Sequence, residues 1–140
     1  MLKENIQDHY KEIEHTADIA LEIWAKDFPG LLIQAGWGML HLMGTETDQL
    51  PKDEKLTVVF SFTQHEDVLV QALNEILFQL EANDLIFIPQ ALLLNDHSAQ
   101  VEYLGGKTDL LLTEIKAVTY HQMQIVEDKK GLRTIIVFDV

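Results

Sequence analysis

EIKAVTYHQMQIVEDKKGLRTIIVFDV, residues 114–140, reads as a strand, a turn and a returning strand. Glu114–Val126 carries apolar and β-branched residues, Asp128–Gly131 has turn chemistry, and Leu132–Val140 is apolar up to Phe138. The pair predicts a hairpin at the end of the chain, and therefore an antiparallel sheet. If Val126 faces Leu132, then Val140 falls opposite Val118 and Asp139 opposite Thr119, with Lys116 just beyond the chain end.

Upstream, Leu85–Leu94 and Ala99–Tyr103 read as strands around an Asn95-Asp96 turn, with a loop beginning at Gly105-Gly106. Two segments carry helical spacing instead. Phe28, Leu31, Leu32, Ala35, Met39 and Leu42 form one stripe, opened by Asp27 as N-cap with Pro29 in the first turn, and closed by Gly44. Gly36 and Gly38 weaken this helix and mark close packing on a sheet. Gln64–Ala82 is the second helix, with Leu69, Leu73, Ile76, Leu77 and Leu80 as its stripe. Thr63 and Glu66 form its capping box, and Asn83 its stop. Tyr10–Glu14, Ile19–Ala25 and Leu56–Phe62 are the remaining strands. The order ββαβαββββ predicts an α+β fold, a mostly antiparallel sheet with two helices packed on one face. Residues 1–140 are expected to form one domain, with residues 1–9 as a loose polar lead-in.

Charge narrows the function. The net charge is −13, only ten residues are Lys or Arg, and Arg133 is the sole arginine. Nucleic-acid binding needs clustered cations to neutralise phosphates, so direct binding to RNA or DNA is not expected. An anionic membrane surface is disfavoured for the same reason. The chain has no cysteine, which excludes disulfides, thiolate metal sites and a Cys nucleophile. The first residues contain no apolar signal core and no run is long enough to span a membrane, so a cytoplasmic location is expected.

The candidate chemistry lies at the two ends. Near the start, EHTADIALEI (14–23) places Glu14, His15 and Asp18 in a polar break before an apolar strand. At the end, Asp139 adjoins the terminal carboxylate of Val140. An apolar strand running up to Phe138 predicts a docked end, and adjacent carboxylates repel unless a cation bridges them. Meeting of the two ends would make a hard-cation site, where oxygen-only ligation favours Ca²⁺, Mg²⁺ or Mn²⁺ over Zn²⁺. Taken alone, Asp18 reads first as a turn residue bonding its own backbone, and as a metal ligand only if Asp139 is close.

Lys116, within an apolar strand, calls for a carboxylate partner or a route to solvent. His15 and His121 belong to no metal-binding pair and read as hydrogen-bonded structural histidines. Asn74, beside the core stripe of the second helix, is placed to bond nearby backbone, whereas Glu75 reads as solvated. Gly105-Gly106-Lys107-Thr108 lacks the earlier glycine and the strand-to-helix setting of a phosphate loop.

Four stretches together, EHTADIALEI, ALNEILF (72–78), EIKAVTYHQM (114–123) and the terminal VFDV, resemble the archease family in order and spacing over nearly the whole chain. One departure is Gln122, where such sequences often carry Glu. The resemblance implies an α+β protein that serves as cofactor to the RtcB-type RNA ligase of tRNA splicing and RNA repair. It would promote guanylylation of the ligase's histidine and multiple turnover without being an enzyme itself. It also implies a metal site at Asp18, Asp139 and Val140, with Ca²⁺ as the expected ion and Mg²⁺ or Mn²⁺ as alternatives. Lys116 would be the functional lysine, with Glu14 and His15 beside it in the partner-facing set. Two other readings stand beside this one: a stand-alone metal-dependent phosphoesterase, and a chaperone-like scaffold module.

Overall fold

The structure is a computed structural model that describes residues 9–13 and 18–140. Its strands are β1 (Tyr10–Ile13), β2 (Ile19–Ala25), β3 (Glu54–Ser61), β4 (Leu85–Leu94), β5 (Ser98–Lys107), β6 (Ala117–Thr119), β7 (Val126–Asp128) and β8 (Gly131–Asp139). Helix α1 spans Phe28–Met43 and α2 spans His65–Asn83, with a short 3-10 turn at Thr47–Gln49. The fold is α+β and every strand pair is antiparallel. The strands divide into two sheets. One runs β1-β2-β8-β6, with β7 also paired to β8, and the other runs β3-β5-β4.

The helices join the sheets. Helix α1 packs on β2 and β4, and α2 on β4, β6 and β3. Asp27 caps α1 by accepting from the Gly30 amide at 2.9 Å, and Gly44 closes it in the left-handed region at φ 101°. The two glycines inside α1 explain how it can touch both sheets. A Cβ on Gly36 would strike the Pro89 ring of β4, and one on Gly38 would strike Leu21 of β2. Close approach offsets the conformational freedom that a helical glycine loses on folding. Between the layers Leu21, Ile23, Leu31, Leu69, Leu73, Ile76, Ile136 and Phe138 are fully buried. Each stabilises the fold by roughly 1.5–3 kcal/mol relative to an exposed side chain.

The single antiparallel sheet expected from the sequence is thus two, and three further expectations change. The capping box of α2 lies one residue later than the sequence pattern suggests. Gln64 is the N-cap, and the Asp67 carboxylate accepts from the Thr63 amide at 2.9 Å and the Gln64 amide at 3.1 Å. Those bonds hold the Asp67 carboxyl below its usual range. Glu66 is thereby released for a distant partner. Gly105 and Gly106 lie inside β5, not in a loop, and Gly105 has no room for a side chain there because a Cβ would collide with the Ile86 carbonyl of the adjacent strand.

The expected strand 114–126 is the third. Only Ala117–Thr119 and Val126–Asp128 pair with β8. Between them the chain leaves the sheet, turning through Gln122 at φ 55° with a Met123-to-Tyr120 backbone bond of 3.0 Å. The excursion docks on the start of α2, where the Glu66 carboxylate accepts from the Ile125 amide at 3.0 Å. It is longer than the stretch of β8 that it spans, so the register moves. Beyond it Asp139 faces Ala117 instead of Thr119, while next to the hairpin turn, where Asp128 faces Gly131, Val126 already faces Arg133 instead of Leu132. Val118 accordingly lies opposite Phe138, not Val140.

Candidate functional site

Strand pairing brings residues from three distant parts of the sequence to one end of the first sheet. Ile19 at the start of β2 faces Phe138 near the end of β8. Continuing that register, Asp18 and Asp139 occupy neighbouring positions on adjacent strands. On the other side of β8, Ala117 faces Asp139, and the Lys116 amide donates to the Asp139 carbonyl at 2.8 Å. Asp18 is half-buried, while Asp139, Val140 and Lys116 are exposed. Glu14 and His15 lie outside the described residues.

The segment that carries Lys116 is held from behind by α2. Val118 is buried, and its amide donates to Asn74 Oδ1 at 2.9 Å while its carbonyl accepts from Asn74 Nδ2 at 3.2 Å. One amide side chain thus satisfies both main-chain groups of Val118 on the sheet-edge strand β6, as a further strand would. Thr119 Oγ1 donates to the Val137 carbonyl at 3.0 Å, so β6 is fixed on both flanks. Tyr120 follows at once. Its hydroxyl pKa is raised, first by burial and then by its hydrogen bond to Asp67.

No ion pair joins Lys116 to Asp18 or Asp139; the ion pairs among the described residues are Lys11–Glu22 and His41–Glu46. The ammonium is therefore not spent on the two carboxylates beside it in the sheet. His121 lies in the turn after β6, exposed, with its backbone amide bonded to Thr119 Oγ1 at 3.2 Å.

The donors at this end are hard oxygens, which fit Ca²⁺ or Mg²⁺ better than a thiophilic metal. Among the described residues no set of three or more His, Asp or Glu side chains is grouped to hold a metal. A cation bound by Asp18 and Asp139 would therefore draw its other oxygens from the Val140 carboxylate, main-chain carbonyls, water or a partner.

Sequence patterns did not mark the surface next to this site. Between the C-terminal half of α2 and the segment 110–116 lies a cleft of about 740 Å³ that Lys116 helps to line. The run Leu110-Leu111-Leu112 is the signal for it. Three consecutive leucines also occur inside β4, at Leu92–Leu94, so the run becomes informative only with the exposure of Leu110 and Leu111. Among the described residues no helix is long and apolar enough to cross a membrane.

Comparison with known proteins agrees with this architecture. Residues 10–140 match the model of the "Archease protein family (MTH1598/TM1083)". A protein archease from Methanosarcina barkeri is 28% identical over 140 residues, covering 94% of this chain and 95% of that protein. One from Thermotoga maritima is 29% identical over 131 residues, covering 92% and 98%. The solution structure of Methanobacterium thermoautotrophicum protein 1598 superposes with a TM-score of 0.76 at 20% identity, covering 94% of this chain and 99% of that one. That likeness speaks to fold alone. The crystal structure of a Thermotoga maritima protein, described as "an archease, possible chaperone", gives a TM-score of 0.66 at 28% identity, covering 93% and 96%.

Proposed function

The chain belongs to the archease family, and from that premise we propose that it activates an RtcB-type RNA ligase in tRNA splicing or RNA repair. It acts as a protein cofactor, not as an enzyme, and promotes guanylylation of the ligase's histidine and multiple turnover. The observation that carries this reading is the pairing of Ile19 with Phe138, together with the Lys116–Asp139 backbone bond. In support of the reading, backbone pairing sets the positions of Asp18, Asp139 and Lys116 near one end of the first sheet.

In this reading Asp18, Asp139 and the Val140 carboxylate hold a divalent cation, Ca²⁺ or alternatively Mg²⁺ or Mn²⁺. The bound ion would supply positive charge beside the ligase's nucleotide phosphates. Lys116 presents a compact ammonium to the same phosphates. Asn74 and the Asp139 carbonyl orient the backbone on which Lys116 stands, so little ordering is needed when the partner arrives. The acidic surface elsewhere keeps RNA off this chain and leaves RNA recognition to the ligase. A cytoplasmic location follows from such a role.

The test is formation of guanylylated ligase from GTP, with and without this protein. Wild type should raise the rate and permit repeated turnover. Asp18→Ala, Asp139→Ala and Lys116→Ala should each remove most of the stimulation while remaining folded. Full stimulation by all three folded variants would overturn the proposal.

A further inference from the structure

The cleft beside Lys116 carries apolar side chains that the core does not use. Its floor is formed by Met43, Leu77 and Ile115, all buried. Its lips are Phe78 on α2 and Leu110 and Leu111 on the facing segment, 58%, 46% and 102% exposed. Leu111 has no intramolecular role as a packing residue, yet its segment is fixed at several points. The Thr108 amide donates to the Asp84 carbonyl at 3.0 Å, the Thr113 amide to the Met43 carbonyl at 2.9 Å, and Lys116 to Asp139. Exposed leucines on a tethered backbone form a preorganised contact surface, unlike leucines that a loop could fold away.

Charge selects the occupant. Glu81 on α2, Asp84 just past its end and Glu114 on the facing segment line the cleft, against Lys116 as the one cation among its described lining residues. Nucleic acid and anionic lipid are repelled by such a lining. We infer that this cleft docks a basic amphipathic helical segment of a protein partner. Its apolar stripe would seat between Phe78 and Leu111, and its lysines or arginines would meet Glu81, Asp84 and Glu114. Such docking would follow helix-in-groove recognition, with charge fixing the orientation. Because Lys116 lines the cleft and its amide is bonded to the Asp139 carbonyl, a docked segment would lie near the carboxylate end of the sheet. The inference requires a basic partner segment, whether or not the partner is an RNA ligase.

The probe is a fluorescent helical peptide of about 14 residues, with leucines on one stripe and lysines elsewhere. A second peptide carries glutamates in place of the lysines. Anisotropy is read near physiological salt, with the full chain and no metal added. The lysine peptide should bind and the glutamate peptide should not. Phe78→Ser and Leu111→Ser, both at exposed positions, should each weaken binding by roughly tenfold. Glu81→Lys should do the same, whereas Asp96→Lys, in the turn between β4 and β5, should change it little. Equal binding of the two peptides would overturn the inference. So would equal binding by the two serine variants and wild type, which would reduce the effect to net charge. Sedimentation showing a wild-type dimer that Leu111→Ser converts to monomer would assign the cleft to a second copy instead, and would also overturn it.

Discussion

The Lys116 amide reaches the Asp139 carbonyl at 2.8 Å, although the two residues belong to opposite arms of a hairpin that is interrupted between them. This bond ties the basic motif to the acidic end of the chain. If the proposed cation is held there, replacing Asp139 by Asn should weaken Ca²⁺ binding by roughly tenfold or more, because affinity follows the charge of the ligand set. The same variant should be no less stable than wild type in chelator, since one of two neighbouring like charges has been removed. Thermal denaturation with and without Ca²⁺ reads both effects.

An extension after Val140 moves the terminal carboxylate and leaves Asp139 in its ladder position. It should reduce Ca²⁺ affinity while leaving the metal-free melting temperature nearly unchanged, because Val140 follows the last residue of β8. Unaltered affinity in the extended chain would remove Val140 from the ligand set.

Asn74 should matter to stability as well as to function. Asn74→Ala leaves the buried Val118 amide and carbonyl without their partner, and should cost about 1–3 kcal/mol in urea denaturation. Asn74→Asp keeps an acceptor for the Val118 amide but loses the donor to its carbonyl. Its stability should fall as pH is raised through the carboxyl's titration, since a charged carboxylate then faces that carbonyl oxygen. A pH-independent loss would argue against direct facing.

The start of α2 carries an acid-sensitive contribution. The folded Asp67 carboxyl is held below its unfolded value by the Thr63 and Gln64 amides. The unfolded state therefore binds a proton more readily, and the stabilisation is present above the unfolded value. It is lost as pH falls through the lower folded value. Asp67→Asn should flatten the stability profile in that acidic window and leave the slope near neutrality unchanged.

Gly36→Ala should destabilise the fold by roughly 1–3 kcal/mol despite the better helix propensity of alanine, because the added methyl meets the Pro89 ring. Urea denaturation reports the sign directly.

Much of this architecture is legible from residue spacing. The stripes of α1 and α2, Asp27 and Gly44 as caps, and the antiparallel pairing of the C-terminal hairpin follow from period and turn chemistry. Two features are not legible because they depend on tertiary partners. The strand 114–126 looks continuous by composition, and only the docking of Ile125 on Glu66 reveals why it breaks. The division into two sheets depends on α1 packing between β2 and β4, for which Gly36 and Gly38 give the sequence hint without the geometry. At the candidate site, the proximity of Lys116 to the chain end is legible from approximate register, while the facing of Val118 and Phe138 is not, since the excursion shifts the pairing. The groove by Leu111 is marked in sequence only by the run Leu110–Leu112, and the exposure that gives the run its meaning belongs to the folded chain.

Calorimetric titration of Ca²⁺ into the purified chain, alongside Asp18→Asn and Asp139→Asn, bears most directly on the central claim. The account predicts saturable binding of one ion per chain to wild type and its loss in both variants, with far-ultraviolet circular dichroism unchanged. Absence of binding by wild type, or undiminished binding by both folded variants, would contradict it.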